Sequence, residues 1–179
     1  MIYLDYSATT PANPKVLETY QQFNLDYFGN PNSNHELGVL ASHQIGKATK
    51  EICSLLGAED YELIYTSGAT ESNNLALKGY AFANAHKGKH IITSPYEHSS
   101  VTACLNYLAK KDFDIDIVNL EKSGRIDLHH LETLITDETI LVSIAYVNSE
   151  LGILQDMDKI KEIIKKHPNV VFHSDMTQA

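Results

Sequence analysis

From residue 62 onward the chain alternates between short apolar, β-branched runs and segments of helical periodicity, and few folds accept that order. Residues 62–66 read as a strand and 70–86 as a helix; His90–Thr93 as a strand and 99–110 as a helix. Residues 114–120 then read as a strand and 127–135 as a short helix. The most strand-like stretch is 139–146, through Ile140-Leu141-Val142-Ser143-Ile144-Ala145; a helix over 156–166 and a last strand over 170–173 follow. Strands joined through helices must run parallel, and the helices must cover both faces of the sheet. The expected class is therefore α/β, built on a mostly parallel sheet. Two helices precede this pattern. Asn13-Pro14 opens the first, whose stripe is Val16, Leu17, Tyr20, Phe23 and Tyr27 and which ends at Gly29. The second carries Leu37, Leu40, Ala41, Ile45, Ala48, Ile52 and Leu55 and ends at Gly57. The extended first dozen residues read as a separate segment.

Composition narrows the partners. A net charge of −9, with Lys and Arg scattered, argues against nucleic acid or an anionic membrane as the main partner. No apolar run is long enough to span a bilayer, and the first residues show no secretory signal pattern. Cys53 and Cys104 match no metal or redox spacing and fall on expected helices, so they read as small packed thiols in a reducing cytoplasm. His35 and His43 lack a third partner, so no metal is assigned.

The segment Tyr65-Thr66-Ser67-Gly68-Ala69-Thr70-Glu71-Ser72-Asn73-Asn74 joins a strand to a helix through small residues. Such a turn aims unpaired N–H groups and the positive end of a helix at one spot, where an anion fits. It spells neither of the common glycine-rich phosphate loops. The competing interpretation is an ordinary capped helix, with Thr70 or Ser67 as the cap. Open α/β sheets bind ligands beyond the carboxyl ends of their strands. Those positions hold Ser67, Ala69 and Thr70, then Glu97 and His98, then Asn148 with Glu150 and Gly152, then Asp175 and Gln178. An anion cup, an imidazole, a carboxylate and carboxamides suit a phosphorylated pyridine ring, whose nitrogen needs a carboxylate to stay protonated. Asp175 is the candidate carboxylate, Gln178 a donor to the ring hydroxyl, and His98 a ring-stacking, proton-moving group. Turn-forming or capping roles for Asp175, His98 and Asn148 are the plain alternatives.

These residues also resemble a family. Tyr3-Leu4-Asp5-Tyr6-Ser7-Ala8-Thr9-Thr10-Pro11 is similar to the opening of cysteine desulfurases of the NifS/IscS type. Gly29-Asn30-Pro31 with His35 and Gly38, Thr66 through Asn74, Glu97-His98, Asn148-Ser149-Glu150-Leu151-Gly152 with Gln155, and His173 through Gln178 resemble that family's later motifs, in order. The resemblance implies the large domain of the aspartate-aminotransferase fold (fold type I, class V) and pyridoxal 5′-phosphate as cofactor. It assigns the phosphate to Ala69 and Thr70, ring stacking and proton transfer to His98, the cofactor oxygen and substrate carboxylate to Asn148, the pyridine nitrogen to Asp175 and the ring hydroxyl to Gln178. The implied reaction takes sulfur from L-cysteine, leaves L-alanine and holds the sulfur as an enzyme persulfide. Acceptors serving iron–sulfur cluster assembly or tRNA thiolation, and a homodimer, come with the family.

Tyr6-Ser7 and Ser149 depart from the family's usual residues. The family's Ser-x-His-Lys segment, with the cofactor-bound lysine, and its sulfur-accepting cysteine have no counterpart among these residues. The expectation is the N-terminal portion of a desulfurase, with 1–12 an N-terminal segment and 13–179 part of the cofactor domain, inactive as a separate molecule. Another class V enzyme, such as a selenocysteine lyase or an aminotransferase, and a non-catalytic binding or regulatory chain are the other readings.

Overall fold

Strands linked through helices lie side by side in one direction. In the computed structural model, which describes all 179 residues, β1 (His90–Thr93), β2 (Asp114–Ile117), β3 (Thr139–Ser143) and β4 (Val171–His173) form one sheet in the order β2-β1-β3-β4. Every pairing is parallel. Helices α3 (Ala69–Asn84), α4 (Ser99–Ala109), α5 (Leu128–Leu134) and α6 (Met157–Ile164) belong with this sheet. Together they make a unit over Thr66–Ala179.

Strand alternation divides the core into two. Ile91 joins Leu77 and Ala81 of α3 and Val101, Cys104, Leu105 and Leu108 of α4. Its neighbour Ile92 joins Leu131 of α5 and Ile160, Ile163 and Ile164 of α6. Consecutive strand residues point to opposite faces, so both faces are covered as expected. The central strands β1 and β3 are buried throughout, whereas β2 and β4 are edges.

The second unit, Met1–Tyr65, holds α1 (Pro14–Asp26) and α2 (Glu36–Leu55). Asn13 caps α1 by accepting from the Lys15 N–H, and Pro14 stands at the first helical position. The Gly29…Gly38 spacing has a steric cause. A Cβ on Gly38 would lie 2.7 Å from the Asn30 carbonyl oxygen and closer still to that of Ser33. The loop from Asn30 to Ser33 therefore lies directly on the start of α2. Apart from Gly38 and Ala41 these two helices bury nothing.

One expected element is not formed. Residues 62–66 have no strand partner. Their alternation suits a strand, yet a strand exists only where a neighbour supplies the other half of the ladder. The remaining helix and strand positions match the sequence reading to within a few residues. No helix is long and apolar enough to cross a membrane.

Candidate active site

Gly68 opens α3 at φ 156 and ψ 178, a conformation that only glycine adopts without strain. No side chain caps the helix. Neither Thr70 nor Ser67 plays the capping part: the Ser67 N–H and hydroxyl both donate to the Glu71 carboxylate, at 2.7 and 2.6 Å. Those bonds hold Glu71 below its ordinary pKa. The Ala69 and Thr70 end of a sixteen-residue helix is thus presented without a protein acceptor on it, an arrangement suited to an anion.

Beyond β1 the chain turns through Ser94 and Glu97 to His98, which caps α4. The Glu97 carboxyl is buried. Its Oε1 accepts from the Ser94 hydroxyl and from the Ala145 N–H, each at 2.7 Å, so it ties the exit of β1 to the exit of β3. Oε2 is buried with no partner. Burial, opposed by those two hydrogen bonds and reinforced by the nearby Asp175 charge, pushes the group up to about 7. The His98 ring is exposed. Its Nδ1 accepts from the Ser100 N–H at 3.2 Å and lies 2.9 Å from the Ser100 hydroxyl.

Asp175 follows β4 and is 9% exposed. Oδ1 accepts from the Thr177 hydroxyl at 2.6 Å and the Thr177 N–H at 3.0 Å; Oδ2 accepts from Asn73 Nδ2 at 2.9 Å. Burial alone would raise this carboxyl, but the Thr177 and Asn73 bonds and the neighbouring His173 outweigh it and hold it below the usual range. A buried carboxylate kept ionised in this way is suited to a cationic or N–H-bearing partner. His173, the last residue of β4, is held down by burial against the opposing Asp175 charge, and its Nδ1 lies 2.9 Å from the Ser143 hydroxyl.

Asn148 sits beyond β3. Its Oδ1 accepts from the N–H groups of Glu150 and Leu151, and its Nδ2 donates to the Tyr96 carbonyl at 3.3 Å. The carboxamide therefore shapes its own turn and ties it to the segment just before Glu97. Gln155 is buried and accepts from the Ile126 N–H at 3.0 Å, fastening the hairpin after β2. Gln178 lies exposed in the turn after Asp175. The Thr66–Ala179 unit thus brings His98 and Asp175 into one hydrogen-bonded network through Asn73 and Ser100, while Asn148 joins the same rim through Tyr96.

Sequence reasoning passed over Asn73, Ser100 and Thr177. The available signal was placement. Asn73 shares the apolar stripe of α3 with Leu77 and Ala81, and Ser100 that of α4 with Cys104 and Leu108, all of them buried. A polar residue on such a stripe must find a buried partner.

Fold and rim together define an α/β protein with an uncapped helix start and a buried carboxylate at the edge of its sheet. The match to known proteins is specific: the model for the aminotransferase class-V family covers residues 2–179, and the chain belongs to that family. It is 42% identical to a cysteine desulfurase IscS of Methanosarcina thermophila, covering 99% of this chain and 44% of the relative. It is 45% identical to the IscS of Salmonella paratyphi B, covering 99% and 45%. Among solved structures, a NifS-like protein superposes with a TM-score of 0.95 at 36% identity over 99% of this chain and 49% of its own. A structure described as SspA in complex with cysteine superposes at 0.92 with 37% identity, over 99% and 51%. The fold is accordingly that of a type I large domain. The chain spans about half the length of the curated relatives it matches.

Proposed function

We propose that this chain is the N-terminal, cofactor-cradling portion of a pyridoxal-phosphate-dependent cysteine desulfurase. In that reading 1–12 is an N-terminal segment and 13–179 part of the cofactor domain. The observation that carries the reading is Asp175, a buried carboxylate held ionised at a strand end. The donor set fits the cofactor at each end: the uncapped start of α3 for its phosphate, Asp175 for its ring nitrogen.

The cofactor, when bound, supplies an electron sink beside the amino-bearing carbon of its substrate. The residues of this chain hold and orient. Ala69 and Thr70 take the phosphate with backbone N–H groups and a hydroxyl. Asp175 would keep a proton on the ring nitrogen by its charge, and the Asn73 and Thr177 bonds hold that carboxylate in place. His98 would lie over the ring and carry protons beside it. Asn148 and Gln178 would serve the ring oxygen, and Asn148 the substrate carboxylate. L-Cysteine as substrate, an iron–sulfur or tRNA-thiolation protein as sulfur acceptor, a homodimer and a cytoplasmic setting complete the proposal. The covalent lysine and the sulfur-accepting cysteine have no counterpart in residues 1–179, so turnover requires groups beyond this cradle.

The test is titration calorimetry with pyridoxamine 5′-phosphate, which cannot form adventitious imines with surface lysines. Saturable binding that falls at least tenfold in Asp175→Asn, with unchanged melting, supports the reading. Binding indifferent to that substitution overturns it.

A further inference from the structure

Asp175 and His98 are joined by a buried chain of hydrogen bonds, and its polarity can be read from end to end. An ionised carboxylate only accepts, so the Asn73 atom 2.9 Å from Asp175 Oδ2 must be the amide nitrogen. That nitrogen has a second hydrogen, and Ser100 Oγ lies 2.9 Å away to accept it. The Ser100 hydroxyl then has one hydrogen of its own to donate. Its remaining neighbour is His98 Nδ1, at 2.9 Å. The Ser100 backbone N–H aims at the same nitrogen from 3.2 Å as the cap of α4. Two donors on one ring nitrogen leave no place there for a proton. Asn73 is 4% exposed and Ser100 6%, so water does not compete readily for either link.

We infer that Asn73 and Ser100 are positioning residues that lock His98 in the tautomer bearing its proton on Nε2, with the Asp175 carboxylate setting the direction of the whole chain. The significance for catalysis rests on the reading of His98 and Asp175 as the groups flanking the cofactor; the tautomer itself does not. In that setting neutral His98 presents an N–H to the ligand side, so its first proton step is donation. Acting as a base from rest would require a proton on Nδ1 and the loss of both bonds from Ser100. The lock also joins two duties: the carboxylate that would hold the ring nitrogen also sets which nitrogen of the imidazole carries the proton.

The test is a long-range ¹H–¹⁵N correlation spectrum of the protein labelled at histidine, recorded at a pH where His98 is neutral and assigned with His98→Gln. The wild-type protein is expected to show His98 protonated at Nε2 alone. Ser100→Ala and Asn73→Leu should each bring up a resolved Nδ1-protonated population, and Ser100→Thr, which keeps the hydroxyl, should restore the single form. Asp175→Asn should loosen His98 in the same way, from 77 positions away in sequence (175 against 98). A wild-type proton on Nδ1 overturns the inference even if no variant folds. So does a tautomer that none of the three removals alters. Adding pyridoxamine 5′-phosphate to the same sample separates the two ideas: unmoved His98 signals would refute the cofactor reading and leave the lock standing.

Discussion

Glu97→Gln isolates one buried proton. Glu97 Oε1 accepts from the Ser94 hydroxyl and the Ala145 N–H, and glutamine keeps that acceptor. At the other oxygen, buried without a partner, the substitution sets a neutral amide in place of a group that ionises. The wild-type carboxyl has an ordinary pKa of 4.5 and is pushed up to about 7 in the fold, chiefly by burial. Between those values the folded protein retains a proton that the unfolded chain has released. The stability this proton contributes is complete below 4.5 and is lost as pH rises through 7. A gap of about 2.5 units at ~1.36 kcal/mol each is about 3 kcal/mol. Part of the loss falls below pH 5, so the advantage of the glutamine variant over wild type should grow by about 2–3 kcal/mol from pH 5 to pH 8. Urea denaturation of both proteins at the two pH values measures it, and other titrating groups largely cancel in the difference. An advantage that is the same at both values would mean that the buried clamp accepts an ionised carboxylate as readily as a protonated one, and that Glu97 is not pushed up.

Three further outcomes are expected. Thr177→Val removes the hydroxyl 2.6 Å from Asp175 and should let that carboxyl rise toward its ordinary pKa; a carbon-detected titration would show it. Stability from ionised Asp175, present above its unfolded pKa near 3.8, would then be lost at a higher pH on acidification. Gly38→Ala drives a methyl into the Asn30 and Ser33 carbonyls and should cost about 1–3 kcal/mol, read as faster proteolysis within Met1–Tyr65 at unchanged protection of Thr66–Ala179. Val171, 41% exposed on the edge strand β4, offers an open ladder to other chains; Val171→Lys should lower self-association in sedimentation runs.

The candidate site is partly legible in the sequence. His98 and Asp175 stand at the ends of strands whose apolar runs were plain, and the family motifs name them again. Glu97 was visible as a strand-end acid, but nothing near it in sequence announces that its partner is the N–H of Ala145, 48 residues on. Asn73 was harder still: an asparagine in the first turns of a helix is usually a solvated one. Asn148, expected as a ligand group, also holds its own turn and ties it to Tyr96, contacts that its place in the sequence does not announce. Residues 62–66 carry a strand pattern but find no partner.

The sequence by itself determined the alternation of strand and helix, the parallel sheet and the two-sided burial, because periodicities of two and of 3.6 residues are properties of the local chain. It also determined which polar residues fall at strand ends. Only the folded arrangement sets which carboxyl is pushed up, which is held down and which donors meet His98 Nδ1. These depend on desolvation and on groups contributed by other elements: Asn73 of α3 donates both to the carboxylate beyond β4 and to Ser100 of α4. Hydrogen-bond polarity is passed along such a chain of contacts, and the contacts exist only once the sheet has brought its strand ends side by side.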